Sequence, residues 1–266
     1  MELWNKINYT SDISYLTNTF IYEVDIQKAN INVLYSKKII DRSTYEFLLN
    51  SERMVRQVYV GKLQKDTNVT KALKQGILEA KKLLFESNKI QDYEVLSIKN
   101  DAVFVIGRIP KIREFGLIKF IPKSKYTGFY RILNYEFYYL YDSVTKEETL
   151  DVKGIGDKAL EKHKDYFYQF LKDLFYTIQC NGIEVALRLM KEYYMQYISL
   201  SLPVGHYRKF DPISDYHFKI HTTINTGFSI DDALDNQKES LDISMNLKIL
   251  IELQKILNNI YFNKYK

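Results

Sequence analysis

"FIYEVDIQKANINVL", residues 20–34, is the stretch on which the reading of the chain turns. Its first half alternates, with Phe20, Tyr22 and Val24 on one face of an extended segment and Ile21, Glu23 and Asp25 on the other. The alternation then stops, and "QKAN" leads into what reads as a short helix. A carboxylate at the end of a strand, among apolar neighbours, has two accounts. Asp25 caps the next helix, or it carries a charge that some cation must neutralise.

Composition narrows the field. The 266 residues suffice for one large domain or two closely packed ones with a sizeable core, and 46% hydrophobic residues argue against disorder. A net charge of +5 permits an acidic partner such as nucleic acid without requiring one. The single cysteine, Cys180, excludes an intramolecular disulfide and fits a reducing compartment; beside Gln179 in an apolar helical run, it reads as core. No apolar run approaches the roughly 20 residues that span a bilayer, and "MELWNKINYTSD" does not read as a signal peptide, so no membrane association and a cytoplasmic location are expected.

Outward from the opening strand, "DRSTYEFLLNSERMVRQVYVGKLQ" spaces Tyr45, Leu48, Leu49, Val55, Val58, Tyr59 and Leu63 as one helix, with Asp41 or Ser43 as its cap. After the polar "KDTN", a second helix is predicted with Val69, Leu73, Ile77, Ala80 and Leu84 on one stripe, closing a helical hairpin. "YEVLSIKNDAVFVIG", residues 93–107, reads as a β-hairpin with Lys99-Asn100-Asp101 at its tip. Tyr- and Phe-rich strands continue to about residue 153, and amphipathic helices follow, the last from about Leu241 to Tyr261. The expected class is α+β with a helical C-terminal part.

Asp101 raises the same choice as Asp25. It fills a turn, or the hairpin tip brings it beside the strand end, where two carboxylates would repel unless a divalent cation sat between them.

The order of elements resembles the palm and fingers of right-handed template-directed polymerases, most closely family B DNA polymerases, with some features similar to reverse transcriptases. "DIQKANINVL" resembles their first motif, an Asp ending a strand where the incoming nucleotide sits. "KALKQG", residues 71–76, is similar to the fingers-helix motif, with Gln75-Gly76 similar to the Gln-Gly of reverse transcriptases. "SIKNDAVF" resembles the hairpin that supplies the second metal-binding Asp, although Lys99 stands where that family usually has another acid. "PKSKYTGFY" looks like the lysine-rich tyrosine motif that grips the primer, and "LDVKGIG" like the segment leading into the thumb.

The resemblance implies a palm sheet in two parts (1–42 and 89–153), inserted helical-hairpin fingers (43–88) and a thumb-like helical region (154–266). It further implies a metal-dependent nucleotidyltransferase acting on a nucleic-acid primer-template and a nucleoside triphosphate. Asp25 and Asp101 would hold two Mg²⁺, with Mn²⁺ as a substitute and the Ile26 carbonyl as a further ligand. Gln27, Lys28, Asn30, Arg53, Arg56, Lys71 and Gln75 would meet the nucleotide, Asn30 standing where the family places a bulky residue under the sugar. Lys123, Lys125, Tyr126 and Arg131 would hold the primer strand. A partner polymerase subunit fits so short a chain, and such small chains suit a bacteriophage.

Other stretches carry weaker signals. Lys62, Lys65 and Lys74 read as a solvated helix face. His217 and His221 form an H-x-x-x-H pair in a stretch that reads as a strand, with no cysteine near them or near His206. Gly154-Ile155-Gly156 is too sparse for a phosphate-binding loop and reads as a helix entry.

Overall fold

The computed structural model describes residues 2–154, 165–208 and 243–264; Gly156, His217, His221 and the "YHFKIHTT" stretch lie outside them. The class is α+β. An antiparallel sheet is joined, among the described residues, by seven α-helices: four lie between residues 29 and 88, the strands end at residue 153, and the other three helices follow from residue 167. The chain forms two compact units, residues 1–13 with 19–126 and residues 14–18 with 127–266.

In the first unit the strands are β1 (Asn8–Thr10), β2 (Tyr15–Ile26), β3 (Val95–Lys99), β4 (Ala102–Ile106), β5 (Glu114–Phe115) and β6 (Ile118–Ile132), of which β2 and β6 continue into the second unit. Their order is β1-β3-β4-β2-β6, with β5 folded onto β6. The helices α1 (Ala29–Ser36), α2 (Arg42–Asn50), α3 (Arg53–Leu63) and α4 (Thr67–Asn88) lie between β2 and β3 in the chain. Strand, helices, then a hairpin whose second strand inserts beside the first is a split β-α-β arrangement. It brings the end of β2 next to the β3–β4 turn.

Alternation sets which face is covered. Val24, Val103 and Ile98 form a cross-strand row and enter a core with Leu73, Ile77, Ala80 and Leu84 of α4. The α4 stripe is therefore the one that the periodicity gives. Residues 43–63, expected as one helix, are two. Asn50 Nδ2 and Ser51 Oγ donate back to the Glu46 and Phe47 carbonyls at 3.0 and 2.7 Å, and Ser51 and Glu52 turn extended. Short polar side chains that compete for the backbone end helices in this way. Asp41 does cap α2, accepting from the Thr44 N–H at 2.7 Å, and Asp66 caps α4 from Asn68.

Gly76 lets α1 and α4 approach: a Cβ there would overlap the Val33 side chain, which is fully buried. Gly→Ala inside a helix ordinarily stabilises by about 1 kcal/mol. Here overpacking against a β-branched neighbour costs about 1–3 kcal/mol. Gly76→Ala is expected to lower the melting temperature by a few degrees, and the Gly76→Ala/Val33→Ala double variant to recover part of that loss in thermal denaturation.

The second unit contains the beginning of β2, the end of β6, β7 (Tyr135–Tyr141) and β8 (Glu148–Lys153), in the order β2-β6-β7-β8. Against its apolar face pack α5 (Phe167–Cys180), α6 (Ile183–Ile198) and α7 (Ile243–Lys264). The core is aromatic: Tyr130 and Phe175 stack with centroids 4.1 Å apart and planes 3° from parallel, and Phe137 and Tyr139 surround the same ring. Cys180 ends α5 on the surface rather than in the core, because the buried stripe of α5 runs through Phe167, Phe170, Leu171, Leu174, Phe175 and Ile178. His206 lies in a short 3-10 turn, its Nδ1 2.9 Å from the Tyr193 hydroxyl, and burial holds its pKa below the usual value.

Candidate active site

Asp25 is the penultimate residue of β2, and its Cα partner across the sheet is Ala102, the residue after Asp101. The β3–β4 turn consists of Asn100 and Asp101, with Asn100 at φ 57°, a backbone region that Asn tolerates better than most residues. Antiparallel pairing thus sets two acids, 76 positions apart in the sequence, at adjoining ends of neighbouring strands.

Asp25 caps no helix. The cap position of α1 is Lys28, which makes no side-chain capping bond, and Asp25 Oδ1 is buried with no hydrogen-bond partner among the described residues. Burial pushes the Asp25 carboxyl up to about 6, and the neighbouring charge of Asp101 pushes the same way, with Glu23 adding to it; Lys123 and the Ile26 backbone N–H act in the opposite sense. Desolvation and the second acid outweigh the partial compensation that Lys123 gives, and hold the carboxyl above its ordinary range.

The consequence for stability has a definite sign. The folded state binds the Asp25 proton more tightly than the unfolded chain does, so stability falls as pH rises from about 4 to about 6, and the penalty persists above that. Asp25→Asn is expected to be the more stable protein in metal-free urea titrations at pH 7.5, by about 1 kcal/mol after allowance for solvent screening, and indistinguishable near pH 4. If the pair holds Mg²⁺, millimolar Mg²⁺ stabilises the unsubstituted protein and not the variant.

The donor set fits Mg²⁺. No group of three or more His, Cys, Asp and Glu side chains gathers as a metal site among the described residues. Mg²⁺, however, is commonly held by one or two carboxylates, with waters and substrate phosphates completing its shell. Two hard oxygen donors, one carrying a buried oxygen with no hydrogen-bond partner, match that demand.

Lys99, the cation beside Asp101 in sequence, donates to Thr10 Oγ1 at 3.1 Å. Thr10 pairs with Ser97, two residues back along β3, so the Lys99 ammonium lies back from the turn.

Several side chains converge near Asp25. Glu23, on the same face of β2 and only 2% exposed, accepts from the Tyr126 hydroxyl at 3.1 Å, and its other oxygen lies 3.2 Å from Lys123 Nζ. Lys125 instead stacks its ammonium over the Phe20 ring, 4.0 Å from the centroid. Arg131 is in the second unit, paired with Glu136 across β6 and β7. Ile26 is buried, and the Gln27 N–H donates to the Lys119 carbonyl at 2.8 Å. Lys28 turns to the Leu49 carbonyl at 2.6 Å, and Asn30 is half-buried in α1. Gln27, Lys28, Asn32, Tyr45 and Lys119 line a cavity of about 290 Å³ that begins two residues past Asp25. A second cavity of about 420 Å³ is lined by Lys111, Arg113, Lys119 and Phe120 among others.

The helical candidates are more scattered. Arg56 bonds the Ser51 carbonyl, closing the α2–α3 corner; Gln75 bonds Glu79 at 3.2 Å; Arg53 and Lys71 are exposed. Lys62, Lys65 and Lys74 are exposed as expected.

Two residues near the acids carry no motif. Glu23 is visible in the sequence only as a polar member of the Asp25 face. Lys81 looks like half of a surface "KK" pair, yet it is 0% exposed and reaches the Asn100 and Lys6 carbonyls. Its register with Leu73, Ile77 and Leu84 on α4 is the only sequence signal for it.

No helix among the described residues is long and apolar enough to cross a membrane. A search of curated proteins gave no match. A family model described as "Bacteriophage PBS1 gene 130 protein" matches residues 1–259, nearly the whole chain, which therefore belongs to that phage protein family.

Proposed function

We propose that the protein is a metal-dependent nucleotidyltransferase of the polymerase palm type, extending a nucleic-acid primer from nucleoside triphosphates. One observation carries the reading: Asp25 and Asp101 adjoin at two strand ends, and the Asp25 carboxyl is pushed up by burial and by Asp101, with one oxygen lacking a hydrogen-bond partner. Such a pair is suited to a divalent cation.

In this reading Asp25, Asp101 and the Ile26 carbonyl hold Mg²⁺. The metal, when bound, lowers the pKa of the primer hydroxyl and stabilises the pyrophosphate that leaves. The chain's own residues bind and orient. Gln27 and Lys28 stand at the wall that follows Asp25, with Asn30 further along in α1, and Lys123 and Tyr126, both tied to Glu23, fix the primer-side strand next to the acids. Arg53 and Lys71, exposed on α3 and α4, are available to phosphates, as is Lys125; Arg56, Gln75 and Arg131 would support the strands and helices that carry them.

A second reading is a nucleic-acid-binding palm without chemistry, or one subunit of a split polymerase. Its support is the presence of Lys123 and Lys81 close to the acids, since each offers charge compensation without a metal. Primer extension with labelled DNA and Mg²⁺ or Mn²⁺ separates the two. Product that disappears on EDTA addition supports the enzyme; salt-sensitive DNA retardation without product supports the binding module.

A further inference from the structure

A lysine with no solvent exposure is rare unless its ammonium has partners. Lys81 is such a residue. It sits on the core-facing side of α4, and Nζ donates to the Asn100 carbonyl at 3.3 Å and to the Lys6 carbonyl. Asn100 is the first residue of the turn that presents Asp101. Its N–H is held from the other side by the Ile7 carbonyl at 2.8 Å and Asn8 Oδ1 at 3.3 Å. Both polar groups of the Asn100 backbone are therefore tied down. The pairing of Lys99 with Ala102 closes the turn from the strand side, and Lys81 holds the Asn100 carbonyl.

We infer that Lys81 is a positioning residue for the metal pair: its sealed ammonium clamps the β3–β4 turn and so keeps Asp101 beside Asp25. This rests on the reading of Asp25 and Asp101 as metal ligands. Lys81 touches neither metal nor substrate; it acts through the backbone of Asn100. Its charge faces Asp101 as well, which opposes the downward push that burial gives the Lys81 pKa, to about 8. An ammonium behind the turn also offsets the repulsion between the two acids before a metal arrives.

The test is Mn²⁺ binding to the full chain, followed by electron paramagnetic resonance, with amide hydrogen exchange at Asn100 and Asp101 measured on the same samples without metal. Lys81→Met keeps the aliphatic stem and removes the donor. It is expected to weaken Mn²⁺ binding 10- to 100-fold, the usual cost of losing an outer-shell partner, and to speed exchange at both amides. Lys81→Gln keeps a donor and should stay nearer the unsubstituted protein in both respects; it decides the matter if Lys81→Met does not fold. A merely structural lysine would lower the melting temperature and leave Mn²⁺ affinity unchanged, and that result overturns the inference. If the unsubstituted chain binds no Mn²⁺, or binds it equally as Asp25→Ala/Asp101→Ala, the metal reading fails instead. Exchange then decides whether the clamp exists: unchanged rates in Lys81→Met remove it too.

Discussion

Asp101→Ala is expected to reduce primer extension at least about a hundredfold, and Asp25→Ala the same, while both variants still retard labelled DNA. Losing a residue that merely orients a ligand costs 10- to 100-fold, so losing a ligand itself should cost no less. The two substitutions should also be strongly non-additive, because either one leaves a single carboxylate that cannot hold the ion. Binding survives because the cations that would meet phosphates, among them Lys71 and Lys125, are untouched, and its salt dependence should be that of the unsubstituted protein. Retained extension in Asp101→Ala removes the catalytic reading. An Asp25→Asn comparison guards against a trivial explanation, since that variant is expected to be more stable at neutral pH, not less.

Phe175→Ala should be the most destabilising single change considered. The ring is completely buried, stacks on Tyr130 and is boxed in by Phe137 and Tyr139, so no nearby side chain is free to refill the space. Phe→Ala in a core costs about 3–5 kcal/mol, and stacked aromatic pairs add about 0.5–1.5 kcal/mol. For a chain of this length the melting temperature is expected to fall by roughly 10 °C. Phe175→Leu, which keeps most of the apolar volume, should lose less than half as much. Differential scanning calorimetry is the direct measurement.

The stripe of α4 is legible because its periodicity agrees with its burial: Leu73, Ile77, Ala80 and Leu84 are buried where the spacing predicts. The 93–107 hairpin is legible from its two apolar runs and polar tip, although β3 and β4 are buried on both faces. β2 is a strand as its alternation predicts, yet its burial does not alternate: Phe20 is exposed, and Glu23 is buried beside Val24. The break between α2 and α3 was not legible, because the apolar spacing runs across it and only the back-bonding of Asn50 and Ser51 interrupts the helix. β1 is three residues long and has no pattern to detect; it exists through its pairing with β3. Within the candidate site, Asp25 and Asp101 announce themselves by their positions in local elements. Glu23 and Lys81 do not, because what distinguishes them is a partner far away in the chain: Tyr126 and Lys123 for one, the Asn100 and Lys6 carbonyls for the other. Lys28 and Lys99 show the converse. Nothing in the sequence gives either a partner within the chain, and each is engaged, with Leu49 and Thr10 respectively.

The sealing of Lys81 has a chemical corollary. Reductive methylation or acetylation of the intact protein modifies amines that water can reach, and Lys71 and Lys74 should react within the first minutes. Lys81 must wait for its turn to open, so the rate at which its peptide gains mass reads out how often α4 and the β3–β4 tip part company. A nucleotide or metal that tightens the tip would slow that clock, giving a binding assay that requires no turnover.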